Sequence, residues 1–379
     1  MIALSHEQTE LGERARQIAR DVLRPVAAAG TPGRVNRALV RALAEQGLLP
    51  RLFPHQAGGT HAGALSALDL CLLREALARE STEAENALAI QALGAHPIVQ
   101  AGPPPLVKRW IPAVASGKAV AAFALTEPQA GSDAASLALR AEPDGDGFRL
   151  SGEKAFISNA PDADVYTVFA RTSPEAGARG ITAFAVAGDA AGLSGSALTL
   201  VSTHPIGNLR FEGVRAERAQ VLGEVDQGFR LAMQTLDLFR PSVGAMVVGM
   251  AESALDAATR HAASRRQFGR PIREFQAVSH QLADMATRIE AARLLVYSAA
   301  AAYDGGAPRV RRRSAMAKLF ATETAQFVVD AAIQIHGAAA LEQGHLLEHL
   351  YREVRAPRIY EGTSEIQREI IARDLFRQD

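Results

Sequence analysis

The chain has 379 residues, 48% of them hydrophobic and 22% charged, which is typical of a globular protein with two or three substructures. Its 41 lysines and arginines balance 41 aspartates and glutamates, which argues against binding of nucleic acid or another polyanion. The single cysteine, Cys71, excludes an intrachain disulfide and a metal cluster built on thiolates. No apolar run is long enough to span a bilayer and the N-terminus lacks a signal-peptide pattern, so we expect a cytoplasmic protein without membrane insertion.

The first part of the chain has apolar residues at helical spacing. Gly47 is typical of a helix end, and the "GPPP" run at Gly102–Pro105 is typical of a break before a new helix. We predict helices over Ile2–Ala28, Arg34–Gln46, Ala64–Arg79, Glu83–Ala101 and a segment that ends at Ser116. Residues 1–119 are therefore predicted to form an N-terminal helical domain.

From Val120 to about Val221 the spacing of apolar residues shortens to two, as in "GFRLSGEKAFIS" and "GITAFAVAG". Turn residues in "EPDGDG" and "GDAAGLSG" separate these stretches. The pattern predicts a middle antiparallel β domain over residues 120–223, inserted between two helical parts.

Helical spacing returns at Gly228 and holds nearly to the end of the chain. We predict helices over Gly228–Ser264, Glu274–Tyr303, Arg309–His336, Glu342–Arg352 and a last segment after Thr363. Long helices joined by short loops favour an antiparallel bundle, here over residues 224–379. The most apolar stretch, Ser242–Leu255, is predicted to be a buried helix. The fold class is therefore α+β, and mostly α.

Two stretches of the β part could hold a ligand. In "LTEPQAGSD", Thr126, Gly131 and Ser132 could present hydroxyls and N–H groups to a phosphate, although the same residues fit an ordinary β-turn. In "GEKAFISN", Phe156 and Ser158 share one strand face and could flank a planar ring, although a core phenylalanine beside a satisfied serine also fits.

Two further stretches belong to the second helical part. "SRRQFGRPI" places Arg265 and Arg266 at a helix end, where they suit either the helix dipole or a diphosphate. In "RIYEGTSEIQREIIAR", the run Gly362–Ser364 is typical of a turn with a helix cap. On this local pattern alone, Glu361 before it is interpreted as a solvated acid. No histidine pair has metal-ligand spacing on one helix face, so we predict no metal site.

Taken together, these stretches resemble the acyl-CoA dehydrogenase flavoprotein family. The resemblance covers nearly the whole chain, is weakest before about Leu106, and keeps the family's order and spacing. It is carried by "LTEPQAGSD", "GEKAFISNAPDADVYTVFART", "SRRQFGRPIREFQAVSHQLADM", "QIHGAAALEQG" and "YREVRAPRIYEGTSEIQREIIAR". It implies an N-terminal helical domain, a middle β domain and a C-terminal four-helix bundle, assembled as a homotetramer or homodimer with FAD bound partly across the subunit interface.

The resemblance also implies roles for individual residues. Arg265, Phe268 and Gln276 would reach a neighbouring subunit's FAD, and Phe156 stands where many members carry a tryptophan. The implied FAD contacts are Leu125, Thr126, Gly131, Ser132, Phe156, Ser158, Arg265, Phe268, Gln276, Gln334, Gly337, Thr363 and Glu365. The implied substrate contacts are Ser132, Asp237, Arg240, Glu361 and Gly362.

Glu361 matches the family's usual catalytic base. It would remove the α-proton of an acyl-CoA thioester while the β-hydrogen leaves as hydride to flavin N5, which yields a trans-2-enoyl-CoA. The expected electron acceptor is an electron-transferring flavoprotein, and the expected setting is fatty acid or branched-chain acid metabolism. Some relatives place the base at the position of Phe239, where phenylalanine cannot act as one.

Three alternatives stay open at this point. The substrate could be a carrier-protein-bound acyl thioester, the enzyme could be a flavin oxidase or monooxygenase on the same fold, or the chain could be a non-catalytic FAD-binding relative. Besides Phe156 in the place of tryptophan, two further departures from the family pattern matter. Ala338 replaces the second glycine after the Gln-Ile-x motif, and the segment "STHPIGNLRFEGVR" is shorter than the family's hairpin.

Overall fold

The computed structural model describes residues 4–376. The start of the predicted helix Ile2–Ala28 and the outermost ends of the predicted domains 1–119 and 224–379 lie outside the described residues. The described chain divides into two compact units, one of residues 4–20, 66–85 and 237–376 and one of residues 21–65 and 86–236. This division is coarser than the three predicted domains, whose boundaries stay a prediction.

The first helical part differs from its prediction at one place. The single helix predicted over Ile2–Ala28 is interrupted by a widened turn at Ala19–Leu23. The cause is Pro25, which cannot donate a backbone hydrogen bond and whose ring would collide with the carbonyl of Asp21 in a regular helix. The helices of this part are α1 (His6–Ile18), α2 (Arg24–Ala28), α3 (Arg37–Glu45), α4 (Ala67–Glu80), α5 (Thr82–Ala101) and α6 (Pro104–Ala115). They agree with the predicted segments to within a few residues.

The strands of the β part are β1 (Ala121–Ala124), β2 (Arg140–Asp144), β3 (Gly147–Ser158), β4 (Val165–Arg171), β5 (Ile181–Ala187), β6 (Leu193–Ala197), β7 (Ile206–Glu217) and β8 (Val221–Leu222). They form one eight-stranded sheet with the order β6-β7-β3-β2-β4-β5-β8, and β1 adds to β4. Its pairs are antiparallel except that β1 and β2 run parallel to β4.

The sheet is anchored to the C-terminal part of α5 by close backbone approach. A Cβ atom on Gly94 would lie 2.5 Å from the backbone nitrogen of Ala122, so only glycine allows this contact. The Gln91 side chain donates to the carbonyl of Ala119 at 2.8 Å and accepts from the backbone nitrogen of Ala121 at 2.6 Å. These interactions fix the start of β1, and with it the loop that follows β1.

The second helical part contains α7 (Gly228–Ser264), α8 (Gln276–Asp304), α9 (Val310–His336), α10 (Leu346–Glu353) and α11 (Ser364–Leu375). The stretch predicted to be a buried helix, Ser242–Leu255, lies inside α7, and its apolar side chains are buried except that of Leu255, which is half-buried. A Cβ atom on Gly244 would lie 2.6 Å from Val296 of α8, so the two helices pack closely there. A short hairpin lies between α7 and α8. It consists of two strands of two residues each, β9 (Arg266–Gln267) and β10 (Arg270–Pro271). No helix within residues 4–376 is long and apolar enough to cross a membrane.

Candidate active site

Glu361 lies in a tight turn that is fixed from both sides. Glu361 has a φ of 52° and Gly362 has a φ of 91°. Glu361 therefore adopts the left-handed backbone conformation although it carries a Cβ atom, which makes this conformation unfavourable. The Gln367 side chain donates to the carbonyls of Glu361 and Gly362 at 3.1 and 3.0 Å. Thr363 caps α11, because its hydroxyl accepts from the backbone nitrogen of Ile366. The predicted turn and cap are therefore confirmed.

The carboxylate of Glu361 is only partly satisfied. Its Oε2 atom is buried and has no hydrogen-bond partner among the described residues. Burial raises the pKa of Glu361 above its usual value of 4.5, although the nearby Arg74, Arg240 and Lys318 each act to lower it. The alternative that Glu361 is a solvated acid is therefore wrong, while its role as a base stays a prediction.

Two of these cations also hold the backbone of the turn. Lys318 is fully buried, its Nζ donates to the carbonyl of Gly362 at 2.7 Å, and burial lowers its pKa to about 8. Arg240 donates to the carbonyl of Glu361 at 3.3 Å and to Asp237 Oδ1 at 2.8 Å. The cations thus fix the position of the Glu361 backbone as well as its electrostatic surroundings.

Pro241 explains a local feature beside this ion pair. Proline has no N–H, so the carbonyl of Asp237 loses its regular helical partner within α7. The hydroxyl of Ser314 on α9 takes its place as donor at 3.4 Å. The irregular turn of α7 is therefore attached to α9 next to the candidate substrate residues Asp237 and Arg240.

The third cation, Arg74, was not anticipated from the sequence. It is buried on α4, forms an ion pair with Glu85 and donates to the hydroxyl of Ser242 at 2.7 Å. Its guanidinium and the Tyr360 hydroxyl both contact the sulfur of Met246, at 3.5 and 3.7 Å. In the sequence, the one sign that Arg74 is buried is its position inside the apolar run "CLLREALARE". Lys318 has the same kind of position inside the alanine-rich "SAMAKLFATE".

In the β part, the structure brings the two candidate ligand stretches together. The backbone nitrogen of Ala155 donates to the carbonyl of Thr126 at 2.9 Å, and Lys154 Nζ donates to the carbonyl of Leu125 at 2.9 Å. Lys154 also pairs with Glu127 at 2.8 Å, and both side chains are buried. This ion pair, which sequence reasoning missed, holds the loop after β1 against β3.

Phe156 sits at an irregularity of β3. The register with β7 shifts between Lys154 and Ile157, and Phe156 adopts a φ of 55° there. Its side chain is 55% exposed, so the alternative of a core phenylalanine is wrong. Of the other predicted residues in this part, Leu125 is buried, Thr126 and Ser158 are half-buried, and Gly131 and Ser132 are exposed.

The remaining predicted FAD residues belong to the unit that contains residues 237–376, and all of them except the half-buried Thr363 are exposed. Phe268 is at the tip of the β9–β10 hairpin with a φ of 50°, and its side chain is 91% exposed. Arg265, Gln276, Gln334 and Glu365 are also exposed. Gly337 takes the positive φ of 68° after α9, so Ala338, within the turn Gly337–Leu341, needs no unusual backbone angle.

Each unit, taken by itself, presents groups with the chemistry that a flavin dinucleotide needs. The β part offers the exposed ring of Phe156 and the half-buried hydroxyls of Thr126 and Ser158, and a flavin could stack on such a ring and accept hydrogen bonds from such hydroxyls. The unit that contains residues 237–376 offers exposed guanidinium and amide groups, which could donate hydrogen bonds to a diphosphate. A Cβ atom built on Gly131, Gly269 or Gly337 would meet nothing within 4 Å, so their backbone is open to approach by another molecule. Within residues 4–376, no group of three or more potential ligands could hold a metal ion.

Family models match almost all of the chain. The N-terminal domain of acyl-CoA dehydrogenases matches residues 5–118, the middle domain residues 122–214 and the C-terminal domain residues 226–376. The chain belongs to the acyl-CoA dehydrogenase family, as the sequence resemblance predicted, and is an oxidoreductase of that class.

Individual relatives agree over the full length. Cyclohexane-1-carbonyl-CoA dehydrogenase of Geobacter metallireducens is 36% identical over 100% of both chains. The structure of butyryl-CoA dehydrogenase from Megasphaera elsdenii is 32% identical, with a TM-score of 0.93 over 100% of both chains. A structure of PigA with FAD and proline is 31% identical, with a TM-score of 0.93 over 99% of both chains. These matches confirm the predicted fold class, and they show that family members bind FAD.

Proposed function

We propose that the chain is an FAD-dependent α,β-dehydrogenase of acyl-CoA thioesters in which Glu361 removes the α-proton. The observation that supports this most is the buried Oε2 of Glu361, which no other group of the described chain contacts by a hydrogen bond. A buried carboxylate with an oxygen that lacks a hydrogen-bond donor holds a proton more tightly than one in water, and it is therefore a stronger base.

The surrounding residues orient this base. Lys318, Arg240 and Gln367 hold the carbonyls of Glu361 and Gly362, so the turn cannot rotate the carboxylate away without breaking these bonds. The positive charge of Lys318 and Arg240 also stabilises the ionised form that must be present before proton transfer. Orientation of a base within its site is a major part of its catalytic advantage.

FAD, when bound, would supply the acceptor for the β-hydride. Glu361 would take the α-proton, and the loss of both hydrogens would give the trans-2-enoyl thioester. The residues that would hold it are those predicted from the family resemblance. Phe156 would offer its ring face, and Thr126 and Ser158 their hydroxyls. Arg265, Phe268 and Gln276 would extend from a neighbouring subunit.

The decisive experiment is anaerobic reduction of the purified yellow protein by a panel of acyl-CoA thioesters. The panel contains straight-chain, branched and alicyclic members, including butyryl-CoA and cyclohexane-1-carbonyl-CoA. We expect flavin bleaching with at least one. Glu361→Gln should bind that thioester but bleach at least about 10³-fold more slowly, because the general base is missing.

A matched control removes a carboxylate elsewhere. Glu13→Gln changes an exposed residue of α1 and should bleach like the wild type. Normal bleaching by Glu361→Gln would remove the assignment of the base. Rapid oxygen consumption by the reduced flavin would favour an oxidase, and a protein that purifies without flavin would contradict the proposal as a whole.

Assembly, electron acceptor and location are part of the same proposal. The exposed Phe268 at the hairpin tip supports a homodimer or homotetramer, which light scattering on the purified protein would measure. We propose an electron-transferring flavoprotein as the acceptor, and its reduction by the bleached enzyme tests this. A cytoplasmic location follows from the same expectations and is checked by fractionation.

A further inference from the structure

Three histidines meet where the ends of α7 and α9 lie beside the start of α10. His261 is in the last turn of α7, His336 is the last residue of α9, and His345 is the N-cap residue of α10. The rings of His261 and His336 are stacked with their centroids 4.2 Å apart, and the ring of His345 meets that of His336 edge-on at 5.6 Å. We call these three half-buried residues the imidazole cluster. The proposed reaction uses none of them.

Two hydrogen bonds decide which ring nitrogens of the cluster carry hydrogen. His336 Nδ1 lies 2.8 Å from the carbonyl oxygen of Ala332, which can only accept, so this nitrogen donates. His345 Nδ1 accepts from the backbone nitrogen of Leu347 at 3.1 Å, so this nitrogen carries no hydrogen. The His345 ring is therefore neutral, and its Nδ1 caps the first turn of α10.

Protonation of the cluster would break this arrangement. A protonated imidazole carries hydrogen on both nitrogens, so His345 would lose its bond to Leu347. It would also place a positive charge at a helix N-terminus, where positive charge is unfavourable. A second charge on the adjacent His336 would repel the first. Because histidine ordinarily titrates between about pH 5 and 8, mild acid is sufficient for this change.

The groups that act on the cluster favour its neutral form. Burial lowers the pKa of His261, and His336, Arg265 and His345 lower it further. Burial also lowers the pKa of His336, His345 acts in the same direction, and the carbonyl of Ala332 opposes them. The unfolded chain therefore binds protons on these rings more tightly than the folded chain does. The stability that the neutral rings provide is present above their usual pKa of 6.5 and falls as the pH drops below it.

Acids on the adjoining part of the chain do not neutralise the cluster. Glu348 in the first turn of α10 pairs with Arg352 at 2.6 Å and accepts from the backbone nitrogen of Gly344 at 3.3 Å. Glu342 is exposed. Neither glutamate is among the groups that act on the stacked pair of rings. Positive charge in the cluster would therefore stay uncompensated.

The cluster also closes the link between α9 and α10, residues 337–344. His336 precedes this link and His345 follows it, so the contact between their rings joins its two ends. The link begins with Gly337, which has a φ of 68° and is a predicted FAD contact. Arg265, another predicted FAD contact, donates through its backbone nitrogen to the carbonyl of His261 at 2.8 Å. The cluster thus adjoins predicted flavin contacts at the ends of both helices.

We propose that the imidazole cluster is a pH-sensitive clasp, whose protonation in mild acid opens the α9–α10 link and weakens the binding of FAD. This rests on the proposed function, in which Gly337 and Arg265 contact that cofactor. At neutral pH the stacked rings and the cap at His345 keep the link closed. In mild acid the rings repel each other and the cap is lost, so the flavin is released while the rest of the protein stays folded.

The affinity for flavin as a function of pH tests the clasp. The purified holoenzyme is diluted and equilibrated at pH values from about 8 to about 5, and free FAD is separated by ultrafiltration and measured to give Kd. Each proton taken up on release makes Kd rise by about tenfold per pH unit. Because more than one ring takes up a proton, the Kd of the wild type should rise by more than about tenfold per pH unit in the acidic range.

Two variants isolate the charge of the cluster. His345→Asn keeps a good N-cap that cannot be protonated, and His261→Phe keeps an uncharged ring beside His336. The double variant should match the wild type in Kd and melting temperature at about pH 8, and its Kd should rise by at most about tenfold per pH unit in acid. His345→Asn alone should lie between the two. The control His55→Gln replaces an exposed histidine outside the cluster and should keep the wild-type pH dependence.

Hydrogen exchange tests the same clasp without relying on flavin. Exchange is compared at about pH 7.5 and about pH 5.5 after correction for the intrinsic rate, in the holoenzyme and after removal of FAD. In the wild type, residues 337–347 should lose protection in acid, because the link and the first turn of α10 open. The double variant should keep this protection, and peptides from α4 should stay protected in both proteins.

Two results would overturn the inference. The first is an equal pH dependence of Kd in the wild type and the double variant. The second is unchanged protection of residues 337–347 in acid. A protein that binds no flavin at any pH, but in which residues 337–347 lose protection in acid, would refute the proposed function and leave the clasp in place.

Discussion

Two glutamates, one in each compact unit, have carboxylate oxygens that are buried near cations, but only one of the two carboxylates is fully hydrogen-bonded. Glu127 in the loop after β1 pairs with Lys154, and its carboxylate also accepts from the backbone nitrogens of Ala138 and Leu139. Glu361 lies near three cations, but its Oε2 has no hydrogen-bond partner within residues 4–376. The first carboxylate is fully satisfied, and the second is not.

This difference in hydrogen bonding is the one expected between a structural charge and the catalytic base that we propose. A buried charge that is paired and hydrogen-bonded can be tolerated by the fold, whereas an unsatisfied one raises the free energy of the folded state. Glu361 also lies at a φ of 52°, an angle that is itself unfavourable for a residue with a Cβ. Such costs concentrate where chemistry needs a reactive group.

The strongest test of this comparison is the stability of Glu127→Gln. The change leaves Lys154 buried without its carboxylate, and breaking one partner of a buried ion pair costs about 3–5 kcal/mol. We expect a clear fall in the free energy of unfolding, measured by urea denaturation. A loss below about 1 kcal/mol, the size of a surface pair, would mean that Glu127 does not hold the loop.

Glu361→Gln is the matched change in the other unit and should not destabilise. The folded-state pKa of Glu361 is raised above its usual 4.5, so the folded state binds the proton more tightly than the unfolded state does. Ionisation therefore costs stability, a cost that is absent below about pH 4.5 and complete above the raised pKa. Glu361→Gln should be at least as stable as the wild type at neutral pH, with the difference vanishing in acid. Equal destabilisation by both changes would end the comparison.

The turn around Glu361 could be predicted from the sequence, and its electrostatic surroundings could not. Gly362 forms the turn and Thr363 caps α11, and both do so through residues no more than four positions away. A local sequence pattern is therefore sufficient to predict the turn and the cap. Arg74 and Lys318 reach Glu361 only because α4 and α9 pack in one unit. Such proximity depends on tertiary packing, which no local pattern specifies.

The β part gives the same lesson in a different form. Alternation predicted the strands, but the bulge that exposes Phe156 depends on its cross-strand partner β7, more than fifty residues away in the chain. The widened turn at Ala19–Leu23, by contrast, has a local cause that the sequence contains. Pro25 disturbs the turn before it, and the predicted helix Ile2–Ala28 does not include this effect.

A smaller effect is expected from neutralising the ion pair of Arg74 with Glu85. Among the cations, Arg74 acts most strongly to lower the pKa of Glu361. In the wild type, kcat/KM should fall as the pH drops through the raised pKa of Glu361, because the base must be ionised. The double variant Arg74→Gln with Glu85→Gln removes both charges of the pair, and its acidic limb should move to higher pH, because the cation that most lowers the pKa of Glu361 is gone.

The control for this shift is an ion pair on the same helix. Arg79 pairs with Asp256 at 2.7 Å and is not among the groups that act on Glu361. Arg79→Gln with Asp256→Asn should leave the acidic limb of kcat/KM in place. If both double variants moved the limb equally, Arg74 would have only a structural role.

The smallest expected effect is that of Thr363→Ala, which tests whether the Glu361 turn is held locally or by the cations. The change removes the hydroxyl that caps α11, and loss of such a cap costs about 1 kcal/mol. Because Lys318 and Gln367 would still hold the carbonyls of the turn, the pH dependence of kcat/KM should stay unchanged while the melting temperature falls slightly. A change in the pH profile would instead mean that the cap, and not the cations from other helices, positions the carboxylate of Glu361.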